Sequence, residues 1–216
     1  MWSSGPARRT PEAGRPRAGR LGFVLKPGMR VGLFGGSFDP PHEGHAHVAR
    51  TARNRLGLDR VIWLVSPQNP LKRARPQDLA QRLAAVRRLA RSPADIVSDA
   101  ETRLGVRYTI DLIRILKARY PGVKFVWVMG GDSLAGFHLW RGWAEILRLV
   151  PVVVVARPGA SLSDGLPPAA RRFDHARLPP LLARCLPLAE PPAWIYLQAP
   201  LRHASSTALR RAARGR

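Results

Sequence analysis

The stretch GGSFDPPHEGH, residues 35–45, decides the fold because it joins an apolar run to a segment with helical spacing. The run before it, Met29 to Phe34, has the length and composition of a buried strand. After it, apolar residues at three- and four-residue spacing predict a helix over about 43–56 that begins around His42 to Gly44. The stretch is therefore predicted to form the turn between a first strand and a first helix.

This turn has the chemistry of a phosphate site. Gly35 and Gly36 leave room for a ligand to approach the main chain. His42 and His45 are three residues apart, so at the start of a helix they project from one face. Two imidazoles and several backbone N–H groups then converge at the positive end of a helix dipole, which suits phosphate oxygens.

Three other readings of the turn are less favoured. A dinucleotide fingerprint needs G-x-G-x-x-G and a P-loop needs Gly-Lys-Ser/Thr, and the stretch has neither. Zinc is conceivable because His47 lies close to the first two histidines, but a metalloprotease helix needs HExxH and position 46 is Ala. We therefore predict no metal held by protein side chains.

Apolar runs alternate with helical stretches along the rest of the chain. Further strands are predicted at Val61–Val65, Asp95–Val97, Phe125–Met129, Val152–Ala156 and Trp194–Leu197, and further helices at about 78–91, 108–120 and 136–148. The alternation predicts an α/β fold with a doubly wound parallel sheet, whose ligands bind beyond the carboxyl ends of the strands. Residues 158–193 are predicted to be a long loop, and residues 1–28, rich in Pro, Gly and Arg, a disordered basic extension. One domain is expected over 29–216.

Charge and cysteine content limit the possible functions. The chain has 36 basic and 14 acidic residues, a net charge of +22, so it should attract polyanions such as nucleic acids or phosphorylated metabolites. Its apolar runs are far shorter than the roughly 18 residues that a membrane span needs. A single cysteine, Cys185, cannot form an intramolecular disulfide, which favours a reducing compartment, most simply the cytoplasm.

Residues 35–45 resemble a family signature. The string G-x-F-D-P-x-H-x-G-H is similar to that of the nucleotidyltransferase superfamily, which includes the nicotinate-nucleotide and phosphopantetheine adenylyltransferases. The resemblance implies a Rossmann-like sheet of the HxGH type, with His42 and His45 on the triphosphate around the α-phosphorus. It also implies backbone contacts to ATP from Gly35, Gly36, Ser37 and Phe38. A second signature, I-S-S-T-x-I-R, is matched by ASSTALR at 204–210, which implies that Ser206, Thr207 and Arg210 hold the leaving phosphates.

Three other segments bear on the acceptor. Asn69-Pro70-Leu71-Lys72 leaves it open, because related motifs occur in nicotinate and phosphopantetheine enzymes, but Lys72 is a candidate second cation. The segment RYTID at 107–111 resembles the S-Y-T-x-D of the nicotinate enzymes, with Arg at the usual Ser, and GGDSL at 130–134 with Phe137 and Trp140 resembles their G-x-D-x-L…F…W pattern. The resemblance implies that Asp132 contacts the nucleotide or its ribose and that Trp140 lies on the nicotinate ring. It implies too that backbone N–H groups near Thr109 and Arg141 take the ring carboxylate.

The resemblance thus implies adenylyl transfer from ATP to nicotinate mononucleotide, giving deamido-NAD and pyrophosphate in NAD biosynthesis. Mg²⁺ is expected to enter with ATP, and the protein to be a monomer or small homo-oligomer without a specific nucleic-acid or membrane partner. Phosphopantetheine and nicotinamide mononucleotide remain alternative acceptors. A basic nucleic-acid-binding protein is the alternative from another class, although the Arg-rich ends carry few aromatic residues.

Overall fold

The computed structural model describes residues 21–67, 76–156 and 165–198, and these form a three-layer α/β domain. Six parallel strands in these ranges pair in the order β3-β2-β1-β4-β5-β6. Their bounds are β1 Arg30–Gly36, β2 Arg60–Val65, β3 Asp95–Ser98, β4 Lys124–Gly130, β5 Val152–Val155 and β6 Trp194–Leu197. The predicted doubly wound sheet and all six predicted strands are confirmed.

Seven α-helices cover the sheet in the described ranges. They are α1 Glu43–Leu56, α2 Leu79–Leu89, α3 Ala100–Leu104, α4 Thr109–Arg119, α5 Gly131–Ala135, α6 Trp143–Leu149 and α7 Pro168–Arg172. The strands are buried on both faces, so two apolar clusters form, one on each side of the sheet. The cluster beneath α1 and α2 includes Phe34, Phe38 and Trp63, and the other includes Trp127 and the buried residues of α4.

The position of the strand ends follows from the topology. β1 pairs with β2 on one side and with β4 on the other, so the strand order reverses between β1 and β4. The carboxyl ends of these two strands, at Gly36 and Gly130, therefore lie side by side. In open α/β sheets a crevice for ligands opens at such a reversal.

The prediction of a disordered extension over 1–28 is wrong for residues 21–28. Leu21, Phe23 and Leu25 are buried in the cluster around Trp127. Their backbone is fixed as well, because Ser98 Oγ donates to the carbonyl of Leu21 at 3.2 Å and Tyr120 Oη donates to that of Phe23 at 3.0 Å. The alternation of these three apolar residues is the period of a half-buried extended segment. Residues 21–28 thus belong to the domain, and residues 1–20 lie outside the described ranges.

Two other predicted boundaries need correction. The helix predicted over 136–148 is divided into a 3₁₀ turn, Phe137–Leu139, and α6, because Gly142 adopts φ 67° between them. The predicted loop of 158–193 carries α7 and 3₁₀ turns at Asp174–Ala176, Pro180–Arg184 and Leu186–Leu188 in its described part. Among the described residues, none of the helices has the length and apolar character to cross a bilayer.

Candidate active site

The turn between β1 and α1 is built around a buried phenylalanine. Phe38 is 2% exposed and has φ 46°, an uncommon conformation for a residue with a Cβ. Its ring packs beneath Gly36, where an added Cβ would lie 3.1 Å from Phe38 Cζ. The same ring makes edge contacts with Phe34, at 5.3 Å between centroids, and with His45 at 5.0 Å. The second glycine of the turn therefore makes room for the ring that supports His45.

The two predicted histidines lie together at the start of α1, as expected from their spacing. Their ring centroids are 3.9 Å apart, with His42 at the N-cap position and His45 in the first turn. Their side chains cap the helix reciprocally. The Nδ1 atom of His42 accepts from the backbone N–H of Gly44 at 3.1 Å, and the Nδ1 atom of His45 accepts from that of His42 at 3.2 Å.

The two caps determine which nitrogen of each ring carries the proton. A ring nitrogen that accepts a hydrogen bond has no proton, so the neutral form of each imidazole carries its proton on Nε2. We assign this tautomer from the hydrogen-bond geometry. Both rings then present an Nε2–H donor next to the first turn of α1, where the helix dipole favours negative charge. Two neutral donors at a helix start are suited to phosphate oxygens.

A chain of aromatic contacts runs from β1 to the predicted acceptor side. The ring of Trp127, on β4, covers Gly35 so closely that an added Cβ would lie 2.5 Å from its Cη2 atom. Trp140 meets the ring of Trp127 edge to face at 6.0 Å and that of Phe137 at 5.3 Å. Trp140 and Trp143 are both half-buried, and Trp143 packs on Phe137 and Phe173. Trp127 thus packs on Gly35, the first glycine of the turn, and also supports Trp140, the predicted platform for the acceptor ring.

The start of α4 lies beside Trp140 and carries a concentration of positive charge. Gly142 packs on Ile110, since an added Cβ would lie 3.1 Å from Ile110 Cγ1. Arg141 Cζ lies 4.6 Å from the centroid of the Tyr108 ring, and Arg107 Cζ lies 5.8 Å from it. Tyr108 occupies the N-cap position of α4 without capping it by its side chain, and Thr109 is the first helical residue. The structure therefore places Thr109 and Arg141 together at the start of α4, and Trp140 directly precedes Arg141 in the chain.

The sequence analysis does not identify two buried ionisable residues, Arg82 and Glu101, which bond residues just beyond the ends of β1 and β2. Arg82, on α2, is 1% exposed, and burial lowers the pKa of its guanidinium, opposed by the charges of Asp39 and Asp78. Glu101, on α3, is 6% exposed; burial raises the pKa of its carboxyl group, opposed by a hydrogen bond from the Ser66 side chain. The only sequence signal for Arg82 was its place on the apolar face of α2, between Leu79 and Val86. Glu101 had none.

The remaining predicted residues divide into two groups. Asp132 is exposed in the first turn of α5, directly after β4, at the edge of the sheet where the β1–α1 turn also lies. Lys72, Ser206, Thr207 and Arg210 lie outside the described residues. The roles predicted for all of these side chains stay predictions.

A family model, two sequence relatives and one solved structure relate this chain to known proteins, and they agree with one another. Residues 33–212 match the family model described as cytidylyltransferase-like. A protein of Caulobacter sp. strain K31, named probable nicotinate-nucleotide adenylyltransferase, is 66% identical over 183 residues, which are 84% of this chain and 97% of the relative. A protein of Cereibacter sphaeroides ATCC 17025 with the same name is 54% identical over 188 residues, which are 87% of this chain and 100% of the relative. Nicotinic acid mononucleotide adenylyltransferase of Plasmodium falciparum, complexed with NaAD, has the same fold, with a TM-score of 0.65 at 15% identity over 85% of this chain and 83% of that one.

Proposed function

This chain belongs to the cytidylyltransferase-like family, and from that premise we propose that it transfers the adenylyl group of ATP to nicotinate mononucleotide. The products are deamido-NAD and pyrophosphate. The observation that carries the transfer reaction is the pair of imidazoles at the start of α1, each of which accepts a helix-cap hydrogen bond at Nδ1 and therefore carries its proton on Nε2. The acceptor is supported by the names of relatives that are 66% and 54% identical to this chain.

The reaction requires positioning rather than covalent catalysis. A 5′-phosphate oxygen of the acceptor attacks the α-phosphorus of ATP, and the bond to the bridging oxygen of pyrophosphate breaks on the opposite side. A phosphate is already ionised at neutral pH, so no general base is needed. His42 and His45 donate from Nε2 to oxygens around the α-phosphorus, where negative charge grows in the transition state. Because both donors are fixed by the helix caps, they need little reorganisation as that charge develops.

Other residues would hold the two ends of the reacting pair. Backbone groups of 35–38 would contact ATP, and Asp132 would contact its nucleoside part. Ser206, Thr207 and Arg210 would hold the departing β- and γ-phosphates, and Lys72 would be a further cation on the acceptor side, toward the phosphate of the acceptor. These assignments rest on the sequence signatures alone.

Mg²⁺ would enter with ATP and neutralise part of the charge on its phosphates. In the described ranges no three His, Cys, Asp or Glu side chains form a group that could hold a metal ion. The imidazole and backbone donors described at the turn suit phosphate oxygens rather than a cation. We therefore propose that the ion is bound through the phosphates of the nucleotide and through water.

Charge at the start of α4 supports an acidic acceptor ring over an amidated one. Arg107 and Arg141 lie against the Tyr108 ring, next to the N-terminus of α4. A carboxylate on the pyridine ring would gain from both guanidinium charges and from the helix dipole, whereas a carboxamide would gain much less. Trp140, supported by Trp127 and Phe137, would stack on the ring.

The test is a direct comparison of acceptors. The purified full chain is incubated with ATP, Mg²⁺ and one of three acceptors: nicotinate mononucleotide, nicotinamide mononucleotide or 4′-phosphopantetheine. Pyrophosphate release is followed by a coupled assay, and the dinucleotide product is identified by mass. We expect nicotinate mononucleotide to have the highest kcat/KM. A higher value for either other acceptor would overturn the acceptor assignment, and no pyrophosphate release with any of them would overturn adenylyl transfer itself.

A further inference from the structure

Arg82 joins three separate segments of the chain through their backbone carbonyls. Its Nη1 atom donates to the carbonyl of Ser37 at 2.7 Å and to that of Ser66 at 2.7 Å. Its Nη2 atom donates to the carbonyl of Pro67 at 3.0 Å, and its Nε atom donates to that of Gln77 at 2.9 Å. One buried side chain thus bonds the β1–α1 turn, the end of β2 and the residues that lead into α2.

This arrangement uses properties that are specific to arginine. A guanidinium stays charged in proteins and offers five N–H groups in a planar fork, whereas a lysine offers three from one nitrogen. Burying such a charge is costly unless its donors are satisfied. Here four backbone carbonyls accept from four of the five N–H groups. The charges of Asp39 and Asp78 also favour the charged form, and the pKa of Arg82 is nevertheless lowered by burial.

The bond to Ser37 acts on the histidine pair. The peptide between Ser37 and Phe38 is trans, so fixing the carbonyl of Ser37 toward Arg82 turns the N–H of Phe38 away from it. Phe38 has the uncommon φ of 46°, which persists only where the surroundings hold it. Its ring then supports His45 at 5.0 Å. Arg82 consequently influences the position of His45 without touching it.

The other three hydrogen bonds of Arg82 act on the proposed acceptor side of the site. Pro67 and Gln77 flank the segment that contains Lys72, and Arg82 holds the carbonyl on each side of it. The third carbonyl belongs to Ser66, whose side chain also bonds the buried Glu101 of α3. The two ends of this segment are thereby fixed at the carboxyl end of β2.

We propose that Arg82 is a positioning residue that fixes the ATP-side turn, residues 35–45, relative to Pro67 and Gln77, the described residues on either side of the proposed acceptor-side segment. This inference rests on the proposed function, because it assigns ATP to the first segment and the acceptor phosphate to the second. Arg82 itself contacts neither substrate. Its loss should therefore weaken the use of both substrates at once, even in enzyme that is fully folded.

The test compares Arg82→Gln and Arg82→Lys with Arg87→Gln, which removes the same charge from an exposed position of α2. Steady-state kinetics are measured against ATP and nicotinate mononucleotide, well below the thermal midpoint of each variant. We expect both KM values of Arg82→Gln to rise about tenfold and kcat to fall. The lysine variant should lie between it and the wild type, and Arg87→Gln should match the wild type. A merely structural role would lower only the active fraction, so kcat per total enzyme would fall while both KM values stayed constant.

Unchanged KM values in folded Arg82 variants would overturn the proposal, and so would loss of the folded state in both of them. Failure of the proposed function is a separate result, in which the wild type turns over none of the acceptors. In that case the affinity for Mg²⁺-ATP, measured by calorimetry, still tests the ATP side. An affinity equal to that of the wild type in Arg82→Lys and Arg82→Gln would refute the positioning role.

Discussion

Substitutions of His45 by asparagine and by glutamine separate its observed role as a helix cap from its proposed role as a donor to phosphate. The cap uses Nδ1, which accepts from the backbone N–H of His42 at 3.2 Å. The donor is the Nε2–H on the other side of the ring. An asparagine oxygen can replace Nδ1 as the acceptor, but no group of that side chain reaches the position of Nε2. A glutamine amide can reach that position but leaves the cap bond unmade.

The magnitudes of the two losses differ enough to be told apart. Loss of a helix cap costs about 1 kcal/mol of stability. Loss of one preorganised donor to transition-state charge lowers kcat by about 10² to 10³, or about 2.7 to 4 kcal/mol of activation free energy. We therefore expect His45→Asn to keep its stability within about 0.5 kcal/mol and to lose at least about 10² in kcat. For His45→Gln we expect a loss of about 1 kcal/mol in stability but a kcat about tenfold above that of His45→Asn.

Urea unfolding gives the stabilities, and pyrophosphate release at saturating ATP and nicotinate mononucleotide gives kcat. His45→Ala is the reference in which both roles are lost. A kcat near that of the wild type in His45→Asn would refute the Nε2 donor. Equal kcat values for the asparagine and glutamine variants would show that the position of the donor is immaterial.

Three further changes test other parts of the structure. Gly35→Ala would place a Cβ 2.5 Å from Trp127 Cη2, so urea unfolding should show a loss of about 1–3 kcal/mol, whereas Gly136→Ala, with no heavy atom within 4 Å, should lose no stability. Equal stability of the two variants would contradict this packing. Glu101→Gln tests the raised pKa of the buried carboxyl group. Because the folded state binds that proton more tightly than the unfolded state, the wild type loses stability as the pH rises above about 4.3, the ordinary pKa of a glutamate in an unfolded chain. The stability of the glutamine variant relative to the wild type should thus be greater at pH 8 than at pH 5, and a constant difference would count against the shift. Phe23→Ala removes a ring that is 7% exposed and should cost about 3 kcal/mol, against little change for Val24→Ala, whose side chain is 75% exposed; no loss at Phe23 would return residues 21–28 to the disordered extension.

The sequence predicts the sheet well because its signals are local. Each strand is a short apolar run, and the order of runs and helical stretches is enough to favour parallel pairing. The spacing of His42 and His45 likewise determines that they share one face of α1. Residues 21–25 carried a local signal too, the alternation of Leu21, Phe23 and Leu25, but the glycines and prolines around them indicated disorder.

What the sequence does not predict depends on contacts between distant segments. The apolar face of α2 indicates that Arg82 is buried, but its partner Ser37 lies 45 positions away and is identified only by the folded structure. The same holds for the tautomer of the histidines, which depends on where two backbone N–H groups point. Spacing along a helix gives the direction of a side chain but not the identity of its partner.

The glycine pair of the β1–α1 turn packs against two rings that support residues with different proposed substrates. Sequence reasoning explains Gly35 and Gly36 by the space that a nucleotide needs near the main chain. In the structure each glycine also makes room for an aromatic ring: Trp127 covers Gly35, and Phe38 packs under Gly36. Because successive residues of a strand face opposite sides of the sheet, the two rings lie in different clusters and support different groups. Phe38 supports His45, whereas Trp127 supports Trp140. A methyl group at position 35 should therefore raise the KM for nicotinate mononucleotide more than that for ATP, and one at position 36 should have the opposite preference.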